Sequence, residues 1–566
     1  MNKHPIQFFK DYKITPRVQQ TNVLEQVFKE WDNYKYIALN LPTGVGKTFI
    51  ATAIADSVKK AYILTSTLQL QDQYMESWNA LVNLKGRSNY TCGINSAFTV
   101  DAAPCTSNPD LYNQCRQDNI CPYIIQKNKA LASKAMITNP VYMLYSTHCG
   151  FAKDEDSPWV KRDVLIIDEA HNTEDSLVKF SESAVDPKKY HDDFGVDTSK
   201  IIFTGDVNSD YVLVSSIQKI LEEKATELQL KLEEEFPKAK LFGMELKEWA
   251  KGFNDKTSEK VKKLNAKIYQ LDKAIQPLKI FFNSHFTQEE FVSRWIFHKH
   301  EKENILTITP IYGDFLFKEY FGTLADKFVF LSATLGSKSA FCKELGIKES
   351  ECLYIETDSP FDSKKSPIIV LPSIKLSKNV YEENVKLVGS LIDGILDMHP
   401  SPTRGIIHST TYDIAKHIYN DVSKENRKRL LSRDMDVLSN NDQYPKRYKN
   451  SELLEIHELS GSSYGSVLLS PSMMEGVDLH DDLSEFQVII KLPWLNLGDI
   501  RTRKKSDMDS LWYNNRMWLS ILQASGRSTR HEEDCSTTYI LDKNFKYFYS
   551  EWQNQLPGWF KKRLVF

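Results

Sequence analysis

Short apolar runs punctuate the chain between polar stretches of helical character. YIALN at residues 36–40, AYIL at 61–64, VLII at 164–167, FVFL at 328–331 and GIIH at 405–408 read as strands. The first is followed at once by LPTGVGKT and then by FIATAIADSVKKA, whose apolar positions recur with the period of a helix. Strand, glycine-rich turn and helix thus succeed one another within residues 36–61. From Ile217 to Phe282 the pattern changes to Leu, Lys and Glu in helical repeats such as LEEKATELQLKLEEEF, which predicts long helices or a coiled-coil arm.

With 566 residues the chain exceeds one hydrophobic core and should divide into several domains. Its 41% hydrophobic and 26% charged residues describe a folded protein rather than a disordered or fibrous one. No apolar run reaches the roughly 18 residues needed to span a bilayer, and MNKHPIQFFKDYK lacks the apolar centre of a signal peptide. An intracellular protein is expected, in the cytoplasm or nucleoid, or in the nucleus of a eukaryote, without a membrane partner. The net charge of −3 argues against indiscriminate coating of nucleic acid. Local basic clusters at 85–87, 424–433, 501–505 and 561–563 leave room for a phosphate track.

The glycine-rich turn carries the first chemistry. Gly44 and Gly46, around Val45, let backbone amides approach phosphates; Lys47 supplies a point charge to the β and γ phosphates; Thr48 is placed to ligate magnesium. Leu41 stands where the general loop pattern has glycine. The strand VLII runs into Asp168-Glu169-Ala170-His171. One carboxylate, Asp168, suits magnesium, and the other, Glu169, can orient and deprotonate an attacking water. Loop and carboxylates together specify magnesium-assisted hydrolysis of a nucleoside triphosphate, and no more than that; ATP and Mg2+ are the cofactors expected.

Further motifs follow in order. Arg17 and Gln20 precede the loop; Thr65 and Thr67 end a strand; Ser332-Ala333-Thr334 ends another. Downstream, RGIIHSTTY at 404–412 echoes the Thr65–Thr67 segment and suggests a second domain of the same type. MEGVDL, with Glu475, Gly476 and Asp478, and QASGRSTR, with Gln523, Arg527 and Arg530, come last. Arg527 and Arg530 are three apart, so a helix would present both toward a γ phosphate.

Of eight cysteines, Cys92, Cys105, Cys115 and Cys121 cluster, whereas Cys149, Cys342, Cys352 and Cys535 are scattered. Clustered thiolates in a reducing compartment point to a soft metal centre. The intervals (93–104, 106–114 and 116–120) fit neither zinc ribbons nor bacterial ferredoxins, and spacing alone leaves zinc and iron-sulfur open.

Motif order, the cysteines between loop and acidic pair, KGRSNYTC at 85–92, CPY at 121–123, ITNPVYML at 137–144 and SPFD at 359–362 together resemble the XPD and DinG type of superfamily 2 iron-sulfur DNA helicases. The resemblance covers nearly the whole chain. It implies an α/β fold of two RecA-like parallel-sheet motor domains with an inserted iron-sulfur cluster domain and a helical Arch domain. The boundaries read 1–84, 138–177 and 303–365 for the first motor domain, 85–137 for the cluster domain, 178–302 for the Arch and 366–566 for the second motor domain. It further implies a [4Fe-4S] cluster on Cys92, Cys105, Cys115 and Cys121, catalytic roles for Lys47, Asp168, Glu169, Gln523, Arg527 and Arg530, and nucleotide contacts from Arg17, Gln20, Glu475, Gly476 and Asp478. His171 would couple nucleotide and nucleic-acid sites. The partners implied are ATP and single-stranded or forked DNA, with 5′ to 3′ movement of a monomer. An RNA helicase, a nucleic-acid-dependent ATPase that does not unwind, and a scaffold that keeps the fold for binding are the alternatives. Asn544 departs from the family, which has Arg after the Asp-Lys pair. Trp494, Trp512, Tyr513 and Trp518 are candidates for base stacking, although most should lie in the core.

Overall fold

The structure, a computed structural model, describes residues 1–103, 105, 109–148, 159–235, 255–283, 293–376, 381–433, 448, 450–460, 465–471, 479, 481–526 and 534–566. Two seven-stranded sheets, parallel throughout, form its two lobes. Each of the five apolar runs lies in a strand. The first sheet has the order Cys352–Glu356, Tyr36–Asn40, Ala325–Ser332, Arg162–Asp168, Ala61–Leu64, Ala135–Thr138, Leu81–Asn83. The second runs Leu430–Leu431, Val467–Ser470, Gly405–His408, Phe486–Ile489, Thr537–Asp542, Ile368–Ile374, Leu564–Val565. Strands such as Tyr36–Asn40 and Gly405–His408 are buried along their whole length because helices cover both faces, which is why they read as unbroken apolar runs.

Register carries the chemistry to one edge. Asn40 is opposite Ser332, and Asp168 is opposite Leu331, so the residues that follow these strands emerge side by side at their carboxyl ends. Leu41 N–H donates to the Ser332 carbonyl at 2.8 Å and ties the start of the phosphate turn to the neighbouring strand.

The cysteine-bearing segment leaves the first sheet after Leu81–Asn83 and returns at Ala135–Thr138, its neighbour in the sheet. An insertion whose ends are already adjacent adds little closure entropy. Arg162 pins its exit. This side chain is 2% exposed, donates to the carbonyls of Ala61 (2.8 Å), Ala130 (2.9 Å) and Leu131 (3.0 Å), and stacks on Tyr62 at 4.3 Å. The expected boundary at 137 therefore falls inside a motor strand, and the inserted segment ends before Ala135.

The second insertion contains the predicted long helices, Val207–Glu235 and Asp255–Asn283, packed on each other through Leu221, Leu228, Leu232, Leu271, Ile275 and Leu278. Its base is an antiparallel sheet in the order Ser183–Val185, Leu306–Pro310, Trp295–Lys299. The boundary expected at 177 lies within the helix Thr173–Ser181, and that at 302 lies between two strands of this base sheet. The two insertions touch: Asn265 Nδ2 donates to the carbonyls of Ala102 (3.3 Å) and Ala103 (3.4 Å).

Replacing Arg162 with Met strips three buried carbonyls of a charged donor. A loss of about 3 kcal/mol or more is expected, read as an earlier midpoint in urea unfolding; an unchanged midpoint would show that the insertion is held some other way.

Candidate functional site at the lobe interface

The phosphate turn is shaped by two glycines with φ of 82°, Gly44 and Gly46, a region that side chains rarely adopt. Gly46 precedes the helix Lys47–Asp56, so Lys47 and Thr48 sit in its first turn, both partly exposed, with Val45 buried beneath. Gln20 clasps the turn from below. Its oxygen accepts from Arg17 N–H at 2.8 Å and its nitrogen donates to the Gly46 carbonyl at 3.3 Å. Gln20 is 4% exposed, so its place is against the turn, while Arg17 is exposed at the start of the helix Val18–Glu30.

Asp168 ends its strand buried. Burial, reinforced by the adjacent Glu169, pushes its pKa up to about 6, while the Tyr74 hydroxyl donates to Oδ2 at 3.0 Å. Tyr74 had no motif to announce it; only the fold brings its helix, Leu68–Ser77, beneath the carboxylate. Glu169 has φ of 50°, a strained value for a non-glycine residue, and its partly exposed carboxylate lies 3.4 Å from His171 Nδ1.

His171 joins the lobes. Its Nδ1 lies 2.8 Å from Ser332 Oγ, which also accepts from Thr334 N–H at 3.0 Å. From the second lobe, Gln523 Nε2 approaches His171 Nε2 at 2.7 Å and Thr334 Oγ1 at 3.2 Å. With the amide as placed, His171 is neutral, accepts at Nε2 and donates from Nδ1. Burial lowers its pKa to about 4, outweighing the pull of Glu169. The acidic motif, the Ser332–Thr334 motif and the Gln523 motif are thus one hydrogen-bonded unit.

Beside it lies an ionic cluster that sequence patterning did not single out. Glu174, fully buried, receives Lys505 Nζ at 2.6 Å, Arg501 at 3.3 Å and Arg516 at 3.4 Å, together with the Gly313 amide at 3.1 Å. Asp175 takes Arg516 at 3.1 Å and Arg501 at 3.2 Å, and Glu344 takes Arg516 at 3.4 Å. Three cations of the second lobe meet three carboxylates of the first. Burial works to raise Asp175, yet Arg516 and Arg501 hold it below the usual carboxylate range; Glu344, buried with less compensation, is pushed up to about 7. Arg516 also donates to the His171 carbonyl at 3.2 Å. The basic run 501–505 had read as a possible phosphate track; two of its members, Arg501 and Lys505, are spent on the interface.

Thr65 is fully buried and donates to the Thr67 carbonyl at 3.4 Å, while Thr67 Oγ1 accepts from Leu70 N–H to cap a helix. Ser409 and Thr411 repeat the arrangement in the second lobe, at 3.1 Å to the Thr411 carbonyl and 3.2 Å from Ile414 N–H. Trp512 and Trp518 are buried, and Trp494 stacks on Tyr513 at 5.2 Å. Glu475, Gly476, Asp478, Arg527 and Arg530 lie outside the described residues.

Cys92, Cys105, Cys115 and Cys121 line one small pocket with Gly93, Ile120 and other apolar neighbours, and all four are free thiols. No carboxylate or imidazole lines it. Among the described residues, no three His, Cys, Asp or Glu side chains converge on a single ion position.

Residues 13–191 match the family described as type III restriction enzyme, res subunit, and residues 396–563 match the helicase C-terminal domain. Part of the chain is 28% identical over 121 residues to the ATP-dependent DNA helicase CHL1 of Candida albicans, a match covering 18% of this chain and 14% of that protein. CHL1 of Scheffersomyces stipitis is 29% identical over 121 residues, with the same shares covered. Among solved structures, an XPD helicase superposes with a TM-score of 0.60 over 95% of this chain and 98% of that one at 14% identity. S. tokodaii Xpd4 superposes with a TM-score of 0.53 over 97% and 100% at 15% identity. The likeness to these structures shows a fold of two RecA-like lobes, with a phosphate turn on one and a glutamine helix of the other meeting the residues that follow its acidic strand. The curated relatives match over a small part of their own length, and the solved structures share the fold of this chain. No helix among the described residues is long and apolar enough to cross a membrane.

Glu174→Ala leaves Lys505 and Arg516 buried without their shared carboxylate, which should cost about 3–5 kcal/mol. Thermal unfolding reads the loss, and a Glu174→Met, Lys505→Met double variant should recover most of it. His171 titrates near 4 folded against 6.5 unfolded, so its contribution is complete above 6.5 and declines as pH falls toward 4. Between pH 7 and 5 the His171→Gln variant should lose less of its melting temperature than the parent; equal losses would assign the titration elsewhere.

Proposed function

We propose that the chain is an ATP-dependent DNA helicase that translocates on single-stranded DNA, 5′ to 3′, and opens duplex or forked DNA. The observation that carries this reading is the Gln523 amide meeting His171 and Thr334 at the sheet edge that also bears the phosphate turn. A change at the nucleotide is felt at once by a residue of the opposite lobe, which is what turns hydrolysis into relative movement.

In this reading Lys47 holds the β and γ phosphates, and Glu169 orients and deprotonates the attacking water. Thr48 and Asp168 would hold magnesium, which supplies charge neutralisation at the terminal phosphates. Arg527 and Arg530 act as cationic fingers from the second lobe, Gln523 fixes the helix that leads to them, and Glu475, Gly476 and Asp478 complete that lobe's side. Arg17 contacts the nucleotide, while Gln20 acts through the turn it clasps.

Cys92, Cys105, Cys115 and Cys121 would hold a [4Fe-4S] cluster. Four free thiols around one pocket fit a thiolate-held soft metal centre, and the likeness of the flanking motifs to the iron-sulfur helicases is what favours the cluster. Its role is to staple a small segment that buries little apolar area of its own. This function places the protein inside the cell, acting as a monomer.

Lys47→Ala should lower DNA-stimulated ATP hydrolysis by about 100-fold or more and leave single-strand binding largely intact. Duplexes with a 5′ tail should be unwound and those with a 3′ tail should not; the reverse preference refutes the polarity. Anaerobically purified protein should contain iron and labile sulfide, both lost together with unwinding in Cys115→Ser. Zinc in their place would overturn the cluster.

A further inference from the structure

The helix Leu68–Ser77 touches both elements that carry the candidate magnesium ligands. It packs on the helix Lys47–Asp56, whose first turn holds Thr48, and through Tyr74 it reaches the end of the strand Arg162–Asp168. The helix itself is fixed at both ends. Thr67 caps its start by accepting from Leu70 N–H at 3.2 Å, and Ser77 Oγ donates to the Tyr74 carbonyl at 2.7 Å near its finish.

Tyr74 is fully buried in the cluster that also contains Ile50, Ile63, Trp78 and Ile166. A buried phenol needs an acceptor. In these apolar surroundings the acceptor is Asp168 Oδ2, 3.0 Å away, which is the hydroxyl's one partner among the described residues. Phenylalanine would fill the same space, so the oxygen is there for the carboxylate and not for the packing.

The second oxygen of Asp168 is held as well, Oδ1 accepting from Glu169 N–H at 3.0 Å. One donor on each oxygen fixes the plane of the group. An ionised carboxylate has about four lone-pair sites, so each oxygen keeps one for a cation or for a water bound to it. The Glu169 amide is attached to Asp168 and moves with it, whereas Tyr74 comes from a separate helix; among the described residues it is the one side chain that donates to Asp168. Lys47, beside Thr48 at the start of the neighbouring helix, lies close enough for its charge to act on Asp168, so turn and carboxylate belong to one site. A hydroxyl and a carboxylate are the oxygen donors that magnesium takes.

We propose that Tyr74 is a positioning residue for the divalent cation, its hydroxyl holding the Asp168 carboxylate in the orientation in which that group and Thr48 bind the ion together. Tyr74 acts through Asp168 and touches neither cation nor nucleotide. The inference rests on the reading of Thr48 and Asp168 as the magnesium ligands.

The full chain is tested by binding of a fluorescent ADP, once with magnesium and once with EDTA, the ratio of the two affinities measuring what magnesium adds. Tyr74→Phe keeps the ring and deletes the one oxygen. It should lower that ratio about tenfold, the size usual when a partner of a metal ligand is removed, and leave the affinity in EDTA unchanged. In DNA-stimulated ATP hydrolysis the magnesium concentration for half-maximal rate should rise by a similar factor, with kcat regained at saturating magnesium. A tyrosine that only fills the core would not move the ratio: a parental value in Tyr74→Phe, including equal weakening with magnesium and with EDTA, overturns the proposal. Asp168→Asn forms a separate arm. It should abolish what magnesium adds, and a ratio that survives this change defeats the ligand reading itself, whatever Tyr74→Phe does.

Discussion

The buried carboxylate of Glu174 is the constraint on which the interface depends. A carboxylate with no solvent exposure persists only with cations and donors around it, and here all its cationic partners come from the opposite lobe. The attraction therefore works only while the lobes face one another. Glu174 stands five residues after Glu169, on the helix that continues the acidic motif, so the contact that joins the lobes is built onto the strand that carries the chemistry.

From this anchor the rest of the interface follows by helix geometry. Arg516 binds Glu174 and the His171 carbonyl; Gln523 lies seven residues further along the same helix and so on the same face, where its amide meets the His171 ring. Positioning one guanidinium thus positions the glutamine, and with it the helix end at Ser525 that Arg563 holds from the other side. A neutral, buried imidazole suits this place because it accepts from one lobe and donates to the other without adding charge to a crowded ionic region.

Both insertions arise where they disturb the motor least. The cysteine segment departs from the edge strand and returns on the strand beside it, and the paired helices rise from a small sheet of their own. Asn265 links the two over the carbonyls of Ala102 and Ala103, so the cysteine pocket is buttressed by the helical pair as well as by Arg162. The repeated hydroxyl device, Thr65 with Thr67 and Ser409 with Thr411, shows that the lobes share construction down to their helix caps.

Much of this was legible along the chain because it is local. Strands buried on both faces write themselves as apolar runs, the phosphate turn needs glycines at fixed offsets, and a strand ending in two carboxylates needs no distant partner to be recognised. Gln20 was visible as a residue belonging to the nucleotide site, but its clasp on Gly46 depends on how a helix 26 residues upstream packs. Tyr74, Glu174, Glu344 and Arg516 carried no signal, and Arg501, Lys505 and Arg563 showed only as members of basic clusters, since a buried charge differs from a solvated one only in what surrounds it. Their partners lie up to 345 residues away, and only the packing of two lobes decides which charges are removed from water and against which they are paired.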